Sequence, residues 1–275
     1  MISGTTRLLG VIGDPVSHSR SPRMQNAALR VMGLDWTYVP LPVKADQLAA
    51  ALRGLHALGF VGANVTVPHK EAVAQLVDEL RPVAEASGSV NTIIVQPDGR
   101  LIGDSTDGPA IAAAIASEVG ERYASTVTVL GAGGSARAAA AALAQDGCAV
   151  QIHARRPEAA EALARDLAGT GDVTAVWPLP DPVGGVIVNC TPVGALVDPD
   201  GMPLPASRLL DVRVVVDLAY RADATPTPLI TAAAEAGCAV VDGLEVLARQ
   251  GARALEIWTG QTAPLETMLA AARGT

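Results

Sequence analysis

The run Thr126-Val127-Thr128-Val129-Leu130-Gly131-Ala132-Gly133-Gly134-Ser135-Ala136 decides the fold. Its first five residues are apolar or β-branched, the pattern of a strand buried on both faces. Glycines end the run, and the Ala-rich stretch 135–145 predicts a helix. Strand, Gly-x-Gly-x-x-Ala, helix is the dinucleotide-binding pattern in the context it requires. Gly131 permits a tight turn, and Gly133 lets the backbone approach a pyrophosphate. Ala136 is small enough for the helix to pack on the sheet. The free N–H groups at the helix start then face the phosphates, so Gly131, Ala132, Gly133, Gly134 and Ser135 form a cofactor loop.

Outward from this loop the texture repeats. Strands are expected at 149–153, 173–176, 185–189, 212–218 and 239–241, with helices at 109–119 and 157–167 and a helical close over 243–259 and 264–272. Strands alternating with helices imply crossovers and a parallel sheet. Before residue 107 the same alternation predicts strands at 8–12, 36–39 and 62–67. Helical patterns follow at 21–33, 46–58 and 71–77. Ser21 reads as an N-cap and Pro22 as a first-turn residue. Pro97-Asp98-Gly99 reads as a hairpin turn between 90–95 and 100–102. Within 62–67, strand alternation puts Asn64 and Thr66 on one side.

The strand after the loop ends in His153-Ala154-Arg155-Arg156. An NAD site usually carries an acidic residue there, which accepts from the ribose 2′-OH. Arg155 and Arg156 instead suit a 2′-phosphate through charge-assisted hydrogen bonds, so NADP is the expected cofactor.

The chain has 275 residues, long enough for two domains, and 49% are hydrophobic. Aromatics are only 3%, so Ala, Val and Leu must fill the core. The net charge of −8 argues against nucleic acid as a partner but leaves room for a local cationic pocket. No uninterrupted apolar stretch approaches a membrane span. Cys148, Cys190 and Cys238 are far apart and form no CxxC pair. No metal is expected, and the location is expected to be cytoplasmic.

Two polar clusters precede the cofactor loop. Lys70 closes Asn64-Val65-Thr66-Val67-Pro68-His69-Lys70, and Asp107 closes Gly103-Asp104-Ser105-Thr106-Asp107. A Lys and an Asp in such loops suggest proton transfer beside a redox cofactor. Ser19 and Ser21 stand at a helix start, where hydroxyls can bind a polyol or a carboxylate.

These segments, taken in order, resemble the shikimate dehydrogenase family over essentially the whole chain. The likeness extends to Gly13–Pro22, Ser89-Val90-Asn91-Thr92, Asn189-Cys190-Thr191-Pro192-Val193-Gly194, Asp217-Leu218-Ala219-Tyr220, and Gly243 with Gln250. The resemblance implies an α/β fold with a substrate-binding domain over 1–104, to which 243–275 return. A Rossmann-type doubly wound NADP domain would occupy 105–242. It implies reduction of 3-dehydroshikimate to shikimate with NADPH, a step of aromatic amino-acid biosynthesis, by a monomer or homodimer acting on a small molecule. Lys70 and Asp107 would be the catalytic pair. Ser19, Ser21 and Tyr220 would hold the substrate carboxylate, and Asn64, Thr66, Asn91 and Gln250 its ring side. Thr191, Leu218 and Gly243 would join the cofactor residues.

The chain departs from the family pattern in places. Ser105 stands where Asn is usual, Gln25 replaces a usual histidine, and Arg156 replaces a hydroxyl residue. The alternatives are a quinate- or aminoshikimate-using relative, or an NADP-binding regulator without catalysis.

Overall fold

The computed structural model describes residues 2–120, 126–181, 183, 185–195 and 198–274. The chain divides into two compact units, Met1–Thr106 with Leu247–Thr275, and Asp107–Val246. The strands are β1 (Arg7–Gly13), β2 (Trp36–Pro42), β3 (Phe60–Val65), β4 (Glu79–Leu80), β5 (Thr92–Val95), β6 (Leu101–Asp104), β7 (Thr126–Leu130), β8 (Ala149–His153), β9 (Val173–Ala175), β10 (Val186–Asn189), β11 (Val214–Asp217) and β12 (Ala239–Val241). The helices are α1 (Ser21–Val31), α2 (Leu48–Ala57), α3 (Lys70–Ala74), α4 (Pro82–Ser87), α5 (Asp107–Val119), α6 (Gly134–Gln145), α7 (Pro157–Asp166), α8 (Pro228–Glu235), α9 (Gly243–Thr259) and α10 (Leu265–Arg273).

The first unit is built on a mixed sheet in the order β2-β1-β3-β5-β6-β4. β1 runs parallel to β2 and β3, while β5 runs antiparallel to β3 and β6. The reversal follows the expected turn, where Gln96 N–H donates to Arg100 O at 2.9 Å and Gly99 N–H donates to Gln96 O at 3.0 Å. Alternation along β1 feeds two cores, because successive side chains point to opposite faces. Leu9 and Val11 pack with Met24, Leu29, Leu255, Trp258 and Met268 from α1, α9 and α10. Ile12 packs with Leu52 and Leu55 of α2 and with Phe60 and Ile93.

The second unit is a parallel sheet in the order β12-β11-β10-β7-β8-β9. Strand order therefore reverses between β7 and β10, the doubly wound arrangement whose ligands bind beyond the carboxyl ends of the strands at that reversal. Its central strands β10 and β11 are buried on both faces. Val186, Val188, Val214 and Val216 enter one core, while Ile187 and Val215 enter the other.

Helix α6 explains why so few aromatics suffice. Ala136, Ala138, Ala139, Ala140, Ala141 and Ala144 are all buried, so neighbouring backbone can come close. A Cβ placed on Gly108 of α5 would collide with the Ala138 carbonyl oxygen.

Three expectations are corrected. Ser21 is not an N-cap: Arg20 is, and Ser21 is the first helical residue. Its N–H donates to Ser19 Oγ at 3.2 Å, so the hydroxyl two residues upstream takes over the capping acceptor role. Thr66 does not share a strand face with Asn64, because β3 ends at Val65. Thr66 N–H still donates to Ile12 O at 2.8 Å, but its carbonyl accepts from His69 N–H at 3.0 Å and turns the chain. The carboxyl-side boundary expected at 242/243 lies four residues before the end of the structure's second unit at Val246, because the first turn of α9, which starts at Gly243, groups with that unit. The short elements β4, α4 and α8 had no expectation.

The tight α5–α6 approach carries a prediction. Gly108→Ala should lower unfolding free energy by about 1–3 kcal/mol, the usual cost of overpacking against backbone. Urea denaturation measures it, and an unchanged midpoint would remove the close approach from the account.

Candidate functional site

In the first unit, buried side chains at strand ends form one hydrogen-bonded chain. Asn64, in β3, donates through Nδ2 to Asn91 O at 3.0 Å and to Thr92 Oγ1 at 3.2 Å. Asn91 O can only accept, which fixes the Asn64 amide and turns its Oδ1 toward Tyr38. Tyr38 Oη donates to that oxygen at 2.8 Å. Burial holds the Tyr38 phenol well above its usual pKa, with a bond from Ser21 opposing, so Tyr38 remains the donor. Asn91 Oδ1 accepts from Thr106 N–H at 2.8 Å and Thr92 Oγ1 at 2.9 Å, and Asn91 Nδ2 donates to Gln250 Oε1 at 3.3 Å. Asn64, Asn91 and Gln250 are thus brought together, with Ser21 joined through Tyr38.

Lys70 is the first residue of α3 and half-buried. Its carbonyl accepts from Val90 N–H at 3.0 Å, which anchors it one residue from Asn91. Ser19 and Thr66 are half-buried, on the loops leading into α1 and α3. His69 is buried and its Nε2 meets Val43 O at 2.6 Å, a local structural bond. Gln25, at the departure noted above, is fully buried and donates to Gly251 O at 3.0 Å, tying α1 to α9.

The motif 103–107 holds two aspartates, one in each unit. Arg81 Nη1 lies 3.1 Å from Asp104 Oδ2, and Ser105 N–H donates to Asp104 Oδ1 at 2.8 Å. Asp107 is buried and begins α5 in the second unit.

In that unit the cofactor loop sits at the strand-order reversal. Gly131 has φ +114°, a conformation that glycine alone adopts freely, and a Cβ there would crowd Cys190 O at 3.3 Å. Its N–H donates to His153 O at 2.8 Å, joining the loop to the end of β8. Gly133 caps α6, and a Cβ on it would meet nothing within 4 Å. That open space beside the helix N-terminus fits a pyrophosphate. Ala132, Gly134 and Ser135 are half-buried around it, and Arg155 and Arg156 are exposed just beyond β8.

Thr191 is held from behind. Asn189 Oδ1 accepts from Thr191 N–H at 3.0 Å and from Thr191 Oγ1 at 2.7 Å. Asn189 Nδ2 donates to Asp217 Oδ1 at 2.8 Å, and Ala219 N–H donates to the same oxygen at 3.0 Å. Thr227 Oγ1 donates to Asp217 Oδ2 at 2.5 Å. The Asp217 carboxylate therefore fixes the loop that carries Leu218 and Tyr220. Gly243 lies against that loop, since its Cβ would strike the Ala219 carbonyl. Tyr38, Asn189, Asp217 and Thr227 carried no assigned role in the sequence. A lone polar residue ending each of Val186–Asn189 and Val214–Asp217 was the available signal. Among the described residues, no three His, Cys, Asp or Glu side chains group to hold a metal.

The model of the shikimate dehydrogenase substrate binding domain matches residues 11–93, and that of the shikimate 5′-dehydrogenase C-terminal domain matches 243–273. A shikimate dehydrogenase (NADP(+)) of Anaeromyxobacter dehalogenans is 47% identical, over 96% of this chain and 95% of its own. The chain belongs to the shikimate dehydrogenase family. A crystal structure of a shikimate dehydrogenase in complex with NADP+ superposes with TM-score 0.90 at 37% identity, covering 99% of this chain and 96% of that one. The shikimate 5-dehydrogenase of Thermus thermophilus, in complex with NADP(H) and shikimate, gives 0.87 at 36%, covering 98% and 99%. The α/β fold is thus shared over nearly the whole chain, with the doubly wound sheet confined to the second unit.

Asp217 yields a pH prediction. Burial pushes its carboxyl up to about 6 from 3.8, against the three hydrogen bonds that favour the anion. The folded state therefore takes up a proton between those values, and stability falls as pH rises from about 4 to 6. Asp217→Asn lacks that loss. Its melting temperature relative to the parent should move upward between pH 4 and pH 7, by the equivalent of at most about 3 kcal/mol. A difference independent of pH would show that the carboxyl titrates normally.

Proposed function

We propose that this chain is an NADP-dependent shikimate dehydrogenase, reducing 3-dehydroshikimate to shikimate in aromatic amino-acid biosynthesis. The observation that carries the reading is the near-full-length likeness, at 47% identity, to a shikimate dehydrogenase (NADP(+)). The open cradle at Gly133 and the two arginines beyond β8 support NADP as the cofactor.

In this reading the first unit binds substrate and the second binds cofactor. Ser19 and Ser21, with Tyr220, hold the carboxylate, and Asn64, Thr66, Asn91 and Gln250 hold the ring hydroxyls. Gly131 to Ser135 receive the pyrophosphate on the α6 N-terminus, Arg155 and Arg156 receive the 2′-phosphate, and Thr191, Leu218 and Gly243 line the nicotinamide side. Bound NADPH supplies a hydride for the carbonyl carbon. Lys70 delivers the proton that the carbonyl oxygen needs as it becomes a hydroxyl, and Asp107 accepts a hydrogen bond from the neighbouring hydroxyl. Among the described residues no helix is long and apolar enough to cross a membrane. We place the enzyme in the cytoplasm, as a monomer or homodimer.

Steady-state assays with shikimate and quinate, each with NADP+ and NAD+, test the assignment. Shikimate with NADP+ should give the highest kcat/KM, and a preference for quinate would transfer the chain to that substrate. Lys70→Ala should lower kcat by about 10²–10⁴-fold with a much smaller rise in KM. Normal turnover with weakened binding would remove Lys70 as the acid. Replacing Arg155 and Arg156 together by Ala should cut kcat/KM for NADP+ about 10- to 100-fold and leave NAD+ nearly unaffected. Equal losses with both cofactors would dismiss the 2′-phosphate contact.

A further inference from the structure

We propose that Trp177, stacked on His153, is the platform on which the adenine ring of the dinucleotide rests. His153 is the last residue of β8, and Trp177 lies two residues past the end of the neighbouring strand β9. Their rings are parallel within 6°, with centroids 4.9 Å apart. His153 is held in that place by its surroundings, since its Nδ1 lies 3.2 Å from Val176 O. Trp177 is 59% exposed, although its type ordinarily buries. One indole face is taken by the imidazole, and much of the side chain is left to solvent.

The position of this pair gives it meaning. The His153 carbonyl accepts the Gly131 N–H at 2.8 Å, so the strand end that carries the stack is joined to the phosphate loop. Arg155 and Arg156 follow His153 by two and three residues and are exposed. In a doubly wound sheet the end of the second strand receives the adenosine ribose. A 2′-phosphate on the arginines leaves the base of that nucleotide beside the same strand end, where Trp177 offers a flat apolar surface. Base–aromatic stacking contributes appreciably because every base has a π-face. The other tryptophans, Trp36 and Trp258, belong to the first unit; Trp36 lies under Arg7 and Trp258 is buried with its N–H on Ile93 O.

This rests on the dinucleotide reading of the second unit, and the test separates the two. Adenosine 2′,5′-bisphosphate, which has the base and both phosphates but no nicotinamide, is titrated into the full-length protein by calorimetry and by tryptophan emission. The expected result is saturable quenching with the midpoint of the heat signal. Trp177→Phe should abolish the quench and keep affinity within about threefold, and Trp177→Ala should weaken binding about 5- to 30-fold. Heat without quenching, with Trp177→Ala binding as tightly as the parent, overturns the platform while sparing the cofactor reading. It would leave the base on a guanidinium such as that of Arg155. Absence of both heat and quenching in the parent would instead sink NADP binding itself.

Discussion

The structure depends on one constraint: a polar side chain buried at the end of an apolar strand has to be satisfied by the loop that follows it. Asn189 and Asp217 end β10 and β11 with no solvent exposure. Water cannot reach them, and an unpaired buried amide costs about 1–3 kcal/mol, with more for a carboxylate. Their partners are Thr191, Ala219 and Thr227, all in loops beyond the strands. The sheet thereby dictates loop shape at the edge where the strand order reverses. In the first unit the Asn91 side chain does the same for the segment at Thr106, while Asn64 donates to the Asn91 carbonyl.

The direction of these bonds follows from groups that can only accept. Asp217 and the Asn91 carbonyl fix the two amides Asn189 and Asn64. Each fixed amide then dictates its next neighbour, so Thr191 and Tyr38 must both donate inward. A hydroxyl whose proton is already committed cannot turn freely toward a ligand. The residues assigned to ligand binding are therefore held by neighbours that absorb the internal hydrogen-bonding demand. This arrangement favours preorganisation, because little side-chain freedom remains to be lost on binding.

Periodicity and glycine placement made much of this legible beforehand. The strands at Thr126–Leu130, Ala149–His153 and Ala239–Val241 were readable to the residue, because apolar β-branched runs bounded by turn residues have few alternatives. Local spacing failed where a hydrogen bond from elsewhere decides the outcome. Ser21 reads as a cap until Ser19 is found accepting its N–H. Thr66 reads as strand until its carbonyl is seen closing a turn on His69. The polar network was invisible for a related reason. Asn189 and Asp217 lie 28 residues apart, and only pairing of β10 with β11 sets them side by side. Trp177 was equally mute in sequence, since its partner His153 comes from the adjacent strand.

The overall charge of −8 and a preference for anionic ligands are compatible for the same reason of locality. At physiological salt the field of scattered surface carboxylates fades within about 8 Å. What an arriving phosphate meets at contact is different: backbone N–H groups at the start of α6 and two exposed guanidinium groups past β8. In the same unit Asp217 is buried and hydrogen-bonded, and Asp166 is paired with Arg137 at 2.6 Å. Net charge then governs solubility and long-range association, while a few oriented donors govern recognition. A chain can therefore be acidic in sum and still present oriented donors and two guanidinium groups at one edge of its sheet.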